Sequence, residues 1–412
     1  MTARRFRLFA MDVVRSPAPP YVRGSLVLAL ALFTCSRRTE PIAAGPAASA
    51  LAAAPARQSM PAGVPTPPAP SAPIPAPIPP AALPPPLSPP VDAPGSRRGV
   101  VVAVEPLAAE AGTRILERGG NAIDAAIATT LALCVTHSSA ASLGGGGFAL
   151  VRRGTAPTEA FDFREVAPRA LTRERFDRMI ADGARGAAAV GVPGTVAGLA
   201  MLHARFGTRP FVELVEPALV LARAGHRLRP WQGRVLGWSY RALARDAAAR
   251  AVFGRAGKPL PPSALLVQRD LAASLERLAS AGPEDFYRGE LARRLTAGIG
   301  AGGPSLDDLA AYRAVARNPL SFSYRGYTIE TMPPPSAGGV ALTGILLGLS
   351  RALPQGSPAG SADAVHWFLE ASRRAQAERR LAIVDPDTLS PAELEARRAR
   401  WLDPDYWLTV PI

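Results

Sequence analysis

From about residue 98 onward the sequence predicts a mixed fold, α/β or α+β. Apolar residues recur at helical spacing in stretches bounded by capping residues and glycine stops. Short runs rich in β-branched and aromatic residues lie between those stretches. The whole is long enough to bury one sizeable core.

The elements follow in order. Gly99–Glu105 is short and Val-rich, so it predicts a buried strand. Leu107–Arg118 carries Leu107, Ala111 and Ile115 at helical spacing and stops at Gly119-Gly120. Asn121 then caps a second helix to about Val135, with Asp124 placed as the acid of a capping box. This helix is apolar nearly all round, which predicts full burial. Strands are expected at Phe148–Arg153 and Glu159–Arg164, then helices at Pro193–Arg205, Phe211–Ala224, Arg269–Ala281 and Pro283–Ala297. Ser305 with Asp308 caps a short helix, and Leu320–Tyr324 pairs with Tyr327–Met332 around Arg325-Gly326. Helices at Gly339–Ala352, Asp363–Ile383 and Pro391–Arg400 complete the series, the last capped by Ser390 with Glu393.

Residues 36–97 do not read as folded. Much of the chain's complement of 44 prolines falls between Pro41 and Pro94, among Ala and Ser with almost no charge. Such a segment cannot bury enough apolar surface to offset chain entropy and has the composition of a semi-rigid spacer. Residues 1–35 read as an export signal: Arg4, Arg5, Arg7, Arg15 and Arg23 precede the apolar run Ser25–Thr34, which ends at Cys35. That run is too short to span a bilayer. Pro17, Pro19 and Pro20 interrupt the basic region, and a start at Met11 gives a more ordinary signal. Cys35 is either the acylated first residue of a lipoprotein or an incidental cysteine beside a cleavage site. Both place the folded part outside the cytoplasm.

A net charge of +14 raises nucleic-acid binding. The distribution argues against it, because Lys258 is the only lysine and the arginines are scattered among Asp and Glu along many helices. The two cysteines form no disulfide framework, and Cys134 reads as a small buried hydrophobe. His137, His203, His226 and His366 lack metal-ligand spacing. No metal or cofactor is called for.

The glycines Gly144-Gly145-Gly146-Gly147 could nest an anion. They match neither the dinucleotide fingerprint nor a phosphate-binding loop, so a close helix–strand turn is the better reading of the run alone. In context the run belongs to an ordered series. Gly119-Gly120-Asn121-Ala122-Ile123-Asp124-Ala125-Ala126, Val135-Thr136-His137, then Leu143 with the glycines and Phe148, resemble the opening of γ-glutamyltransferases. Phe161-Asp162-Phe163-Arg164-Glu165-Val166-Ala167-Pro168 and Gly191-Val192-Pro193-Gly194-Thr195-Val196-Ala197-Gly198 continue the likeness. Gly282-Pro283 with Phe286-Tyr287, Asp308-Leu309-Ala310-Ala311-Tyr312, Tyr324-Arg325-Gly326-Tyr327 and Met332-Pro333-Pro334-Pro335-Ser336-Ala337-Gly338-Gly339 complete it. Each is weak singly; together and in order they are strong.

The resemblance implies an α+β fold, the N-terminal nucleophile hydrolase αββα sandwich, here incomplete because the small-subunit half is absent. It implies a precursor that cleaves itself to free a threonine, whose α-amine serves as base for its own hydroxyl. The γ-glutamyl-enzyme then passes its acyl group to water or to an amino-acid or peptide acceptor. The implied substrates are glutathione and other γ-glutamyl compounds, and the implied partner is the small subunit. Arg164 matches the family's arginine for the glutamyl α-carboxylate, a role that suits the planar guanidinium fork. Its ordinary alternative is an ion pair with a neighbour such as Glu165.

Ser138-Ser139-Ala140-Ala141-Ser142 departs from the family's Pro- and Gly-containing turn. The segment Leu402-Asp403-Pro404-Asp405-Tyr406 with Val410-Pro411 resembles the region before the processing site, so the nucleophilic threonine is expected beyond Ile412. Thr129-Thr130 lies inside the buried helix and is no candidate. Alternatives are an acylase of the same fold, or a non-catalytic extracytoplasmic remnant that binds glutamyl compounds or a partner. A serine hydrolase using Ser336 is disfavoured, because no Gly-x-Ser-x-Gly elbow surrounds it.

Overall fold

The computed structural model describes residues 99–411, apart from 182, 184 and 185. The expected signal at 1–35 with Cys35, and the linker at 36–97, lie outside the described residues. In chain order the first elements are α1 (Pro106–Glu117), α2 (Ala122–Thr136), β1 (Gly147–Val151), β2 (Glu159–Phe163) and α3 (Arg173–Ala181). Then come α4 (Thr195–Phe206), α5 (Phe211–Ala224), β3 (His226–Arg227), α6 (Pro230–Leu243), α7 (Ala247–Phe253), β4 (Gly254–Arg255), β5 (Lys258–Pro259) and β6 (Leu265–Leu266). Next are α8 (Arg269–Ala281), α9 (Glu284–Arg288), α10 (Glu290–Ile299), α11 (Leu306–Ala311) and β7 (Val315–Arg317). The hairpin β8 (Leu320–Tyr324) and β9 (Tyr327–Thr331) leads to α12 (Ala337–Ala352), α13 (Ala362–Ala382), α14 (Pro391–Trp401) and α15 (Tyr406–Thr409).

Local chemistry sets these boundaries. The Asn121 side chain accepts from the N–H groups of Ile123 and Asp124, while the Asp124 carboxylate accepts from the Asn121 N–H, closing the expected capping box. Asp124 is fully buried and also accepts from the Thr208 hydroxyl and the Thr208 and Arg209 N–H groups. It therefore ties the start of α2 to the turn after α4. Ser305 with Asp308 and Ser390 with Glu393 close capping boxes on α11 and α14 in the same way.

Helix α2 lies at the centre of the core. Ile127, Leu131 and Val135 meet Val196 and Leu199 of α4, Leu214 and Val215 of α5, Leu275 and Leu278 of α8, and the rings of Phe161 and Phe163. Cys134 belongs to this core, and burial pushes its thiol up to about 12. Because the thiolate is the reactive form, Cys134 should stay unmodified by iodoacetamide at pH 8 in the folded chain and be alkylated after denaturation. Peptide mass spectrometry checks this, and rapid native alkylation would contradict the packing. A second core gathers Leu320, Val340, Leu347, Ala375, Trp401, Trp407 and Val410. The indole N–H of Trp401 donates to Glu378 at 2.8 Å and that of Trp407 to the Trp401 carbonyl at 2.9 Å.

Strand β2 is the middle of a three-stranded antiparallel sheet, β1-β2-β7. Phe161 stands opposite Ala149 on one side and Ala316 on the other. The pairs β3–β6, β4–β5 and β8–β9 are each two-stranded. The β8–β9 turn forms at Arg325-Gly326 as expected, both with positive φ (48° and 84°), the requirement of a type I′ hairpin.

Two expectations need correction. Gly99–Glu105 is not a buried strand. Its residues alternate, with Val101, Ala103 and Glu105 turned inward and Val100, Val102 and Val104 exposed at 78%, 88% and 65%. The period-2 pattern of a strand is present, but among the described residues no strand pairs with it. Pro283–Ala297 is two helices, α9 and α10, broken at Gly289. A Cβ at Gly289 would lie 2.1 Å from an Asp285 carboxylate oxygen, which folds back to cap α10 through the Glu290 and Leu291 N–H groups.

Asp285 also takes a two-armed contact from Arg277, at 2.7 and 3.1 Å. Chiefly through that guanidinium, and against the opposing effect of burial, its carboxyl is held well below the ordinary 3.8. The folded chain thus keeps Asp285 ionised to lower pH than the unfolded chain does. Its stabilisation is complete above about pH 5 and fades as pH falls below the unfolded value. Asp285→Asn should cost about 2 kcal/mol at pH 7, and the gap to wild type should narrow steadily below about pH 4. Urea unfolding at several pH values checks both; a gap independent of pH would contradict the ionised pairing.

Candidate functional site

The structure places Arg164 one residue beyond β2, at the exit of the sheet's central strand. The strand reads Glu-Ala-Phe-Asp-Phe, and Phe161 and Phe163 anchor it in the core. Asp162 is also buried. One of its carboxylate oxygens accepts the Arg164 N–H at 3.1 Å, and the other accepts Nε of Arg317 at 2.7 Å. The Arg164 carbonyl accepts a hydrogen bond from the Tyr312 hydroxyl at 2.8 Å. Burial raises the Tyr312 phenol well above its ordinary value, so it remains a proton donor at any working pH. Both ends of the Arg164 backbone are therefore fixed.

The surrounding motifs converge on this strand exit. Tyr312 stacks on Tyr287, with ring centroids 5.8 Å apart and planes 12° from parallel. Tyr287 donates its hydroxyl hydrogen to the Pro193 carbonyl at 3.1 Å and accepts the Ala197 N–H at 3.0 Å. The Gly145 carbonyl accepts from the N–H groups of Gly194 and Thr195 at 2.8 and 3.0 Å, and Val166 bridges to Val192. A Cβ at Gly146 would sit 2.6 Å from the Phe163 carbonyl oxygen. Thus the glycine run, the Asp-Phe-Arg-Glu strand, the Gly-Val-Pro-Gly turn, Phe286-Tyr287 and Tyr312 form one unit. In it the glycines act as a close-approach turn, the reading preferred from the sequence.

The Arg164 side chain is half-buried, and among the described residues its guanidinium has no hydrogen-bond or ion-pair partner. The pair with Glu165 considered from the sequence is not formed. A guanidinium held by a fixed backbone, with its fork unoccupied, can take a carboxylate through two parallel charge-assisted bonds.

Other sequence candidates fall away. Ser336 is the N-cap of α12, accepting the Gly339 N–H. Thr129 and Thr130 lie inside α2. The histidines are dispersed: His137 packs beside Trp231, His203 bonds the Arg209 carbonyl, and His226 is buried. Among the described residues no group of His, Cys, Asp and Glu could hold a metal ion, and no helix is long and apolar enough to cross a membrane. Sequence reasoning missed Asp162, Tyr312 and Arg317 as site residues. Asp162 carried a signal, a lone carboxylate between two phenylalanines of a buried strand. Arg317 carried none, since it meets Asp162 across 155 positions.

Most of the described chain is similar to known proteins. Residues 108–407 match the family model described as gamma-glutamyltranspeptidase. The chain is 40% identical over 300 residues to a glutathione hydrolase proenzyme of Escherichia coli K12, covering 71% of this chain and 52% of that protein. It is 39% identical over 328 residues to an acylase ACY 1 proenzyme of Pseudomonas sp. SE83, covering 76% of this chain and 58% of that protein. The crystal structure of Helicobacter pylori gamma-glutamyltranspeptidase superposes with a TM-score of 0.70 at 33% identity, over 76% of this chain and 92% of that one. The chain spans about half the length of the curated relatives it matches. With its α+β fold of the N-terminal nucleophile hydrolase type, and with Arg164 at the centre of the family's converging motifs, this chain belongs to the γ-glutamyltranspeptidase family.

Proposed function

We propose that this chain is the glutamyl-gripping part of a γ-glutamyltransferase that also acts as a glutathione hydrolase. Arg164 holds the α-carboxylate of the γ-glutamyl group. A threonine supplied outside this chain, by the small subunit, attacks the γ-amide carbon, its own α-amine taking the hydroxyl proton. The leaving amine departs protonated, and the γ-glutamyl ester passes to water or to an amino-acid or peptide acceptor. The observation that carries this reading is the guanidinium of Arg164, without a partner among the described residues, on a backbone fixed at both ends.

Two findings support a second half. The relatives are about twice as long and are named as proenzymes. The segment 100–104 exposes Val100, Val102 and Val104, and among the described residues no strand lies beside it. Placement outside the cytoplasm, periplasmic or secreted with Cys35 as an optional lipid anchor, is part of the same proposal. It rests on the arginine-rich start and the short apolar run that follows.

The purified chain alone should release no product from a chromogenic γ-glutamyl anilide. Turnover by the chain alone that Arg164→Ala abolishes would overturn the assignment of the nucleophile to the other half.

The acylase relatives favour a second reading, an amidase acting on another acyl group. A guanidinium at the strand exit with no partner among the described residues suits a substrate with an α-carboxylate better. Preference for a γ-glutamyl amide over the matched 4-aminobutyryl amide, which lacks the α-carboxylate, separates the two readings.

A further inference from the structure

Arg317 lies at the end of β7, beside β2, and serves two carboxylates at once. Its Nε donates to Asp162 at 2.7 Å, and its two terminal nitrogens donate to the two oxygens of Asp387 at 3.0 and 3.1 Å. The Arg317 side chain is 13% exposed and that of Asp162 is 7% exposed, whereas Asp387 is 63% exposed. Asp387 belongs to the single-turn helix Pro386–Thr388 between α13 and α14, where its N–H donates to Asp385. An unbroken chain of charge-assisted bonds thus runs from that turn, through Arg317 and Asp162, to the backbone N–H of Arg164.

We infer that Arg317 is a positioning residue for Arg164, and that the turn at 386–388 sets its orientation. The inference rests on Arg164 being the glutamyl-carboxylate grip. Asp162 is buried, and its carboxylate is aimed by the Arg317 guanidinium that lies against it. Without Arg317 that carboxylate loses the partner that orients it and swings away. The change releases the Arg164 N–H and lets the strand exit turn. Lysine cannot replace the arginine, because one ammonium on a flexible stem cannot hold Asp162 with Nε geometry while two further donors grip Asp387. Arg317 acts through Asp162 and not by touching substrate.

The test uses the full chain, with L-glutamate and 4-aminobutyrate as probes, the second being the first without its α-carboxylate. Calorimetric titration gives the ratio of their affinities. Partial unfolding lowers both affinities together, so a merely structural role would leave the ratio unmoved. The wild-type chain should prefer L-glutamate by about tenfold or more, and Arg164→Ala should bring the ratio to about one. Arg317→Lys should remove most of the preference, and Asp387→Asn, at an exposed position that does not threaten folding, should reduce it by about twofold to threefold. A collapse in Arg164→Ala with a wild-type ratio in Arg317→Lys overturns the positioning role and leaves the grip standing. No preference in the wild type, or a preference that survives Arg164→Ala, overturns the grip and the positioning role together. Amide hydrogen exchange over residues 162–166 needs no ligand. Faster exchange confined to that segment in Arg317→Lys is expected, and unchanged exchange overturns the coupling on its own.

Discussion

Arg164→Ala is expected to weaken binding of a γ-glutamyl ligand by about 10- to 100-fold while leaving the free energy of unfolding within about 0.5 kcal/mol of wild type. The first figure follows from a charged hydrogen-bond contribution of about 1.5–3 kcal/mol, at roughly 1.4 kcal/mol per factor of ten. The second follows because the guanidinium has no partner among the described residues, so its loss strands no buried group. Catalytic and binding groups seldom separate so cleanly from the fold. Most polar side chains near this strand, Asp162 and Tyr312 among them, are bonded into it. Arg164→Lys should recover only part of the loss, since an ammonium offers a point charge where the carboxylate needs a planar fork. Titration with a γ-glutamyl ligand beside thermal unfolding checks the pair of outcomes. Unchanged affinity in Arg164→Ala removes the arginine from the site, and a large loss of stability would mean that its fork is engaged by the protein itself.

The sequence was most readable where the deciding interactions are local. Asn121 with Asp124, Ser305 with Asp308 and Ser390 with Glu393 are capping boxes whose partners are three residues apart, and each formed as expected. Phe211–Ala224 and Arg269–Ala281 came out with the bounds read from periodicity. Where partners are distant, the reading failed or fell silent. The segment 99–105 has strand composition and strand alternation, but a strand also needs a neighbour, which its own residues cannot specify. Helix α6 was missed because Gly233 and Gly237 dilute its apolar stripe, although Pro230 at its first turn was a usable start signal. The break at Gly289 depends on an Asp285 carboxylate folding back, a tertiary detail that helical spacing does not encode.

The site divides along the same line. Arg164 was reachable through the order of motifs along the chain, because family resemblance carries long-range information that periodicity lacks. The bonds that fix its backbone come from Asp162, two residues away, and from Tyr312, 148 positions away. The nearer could be suspected from a charge inside a buried strand. The farther had to be seen.

Gly194→Ala tests whether that convergence is as tight as the contacts imply, and it should be among the most damaging single-methyl changes in the chain. An added Cβ would lie 1.9 Å from the Phe163 carbonyl oxygen and 2.3 Å from the Tyr312 hydroxyl. The backbone of Gly194 is right-handed, so alanine is not forbidden there by conformation. The penalty is steric, and the first obstacle is main chain in the sheet's central strand, which cannot turn aside as a flexible side chain can. Overpacking of this kind costs about 1–3 kcal/mol and occasionally more; a backbone clash places this variant at or above about 3 kcal/mol. Gly237→Ala is the control of opposite sign. Its Cβ would meet nothing within 4 Å, and it lies inside α6, where alanine is favoured over glycine by about 1 kcal/mol. Relief of the Gly194→Ala clash must displace either the Phe163 peptide, which leads directly into Arg164, or the tyrosine that holds the Arg164 carbonyl. The folded fraction of this variant should therefore also grip a γ-glutamyl ligand weakly. Arg164→Ala loses the ligand and keeps the fold, Gly237→Ala keeps both, and Gly194→Ala loses both. If Gly194→Ala retained wild-type stability and affinity, the turn at 191–198 would not be wedged against the strand exit, and the fixed backbone on which the assignment of Arg164 depends would go with it.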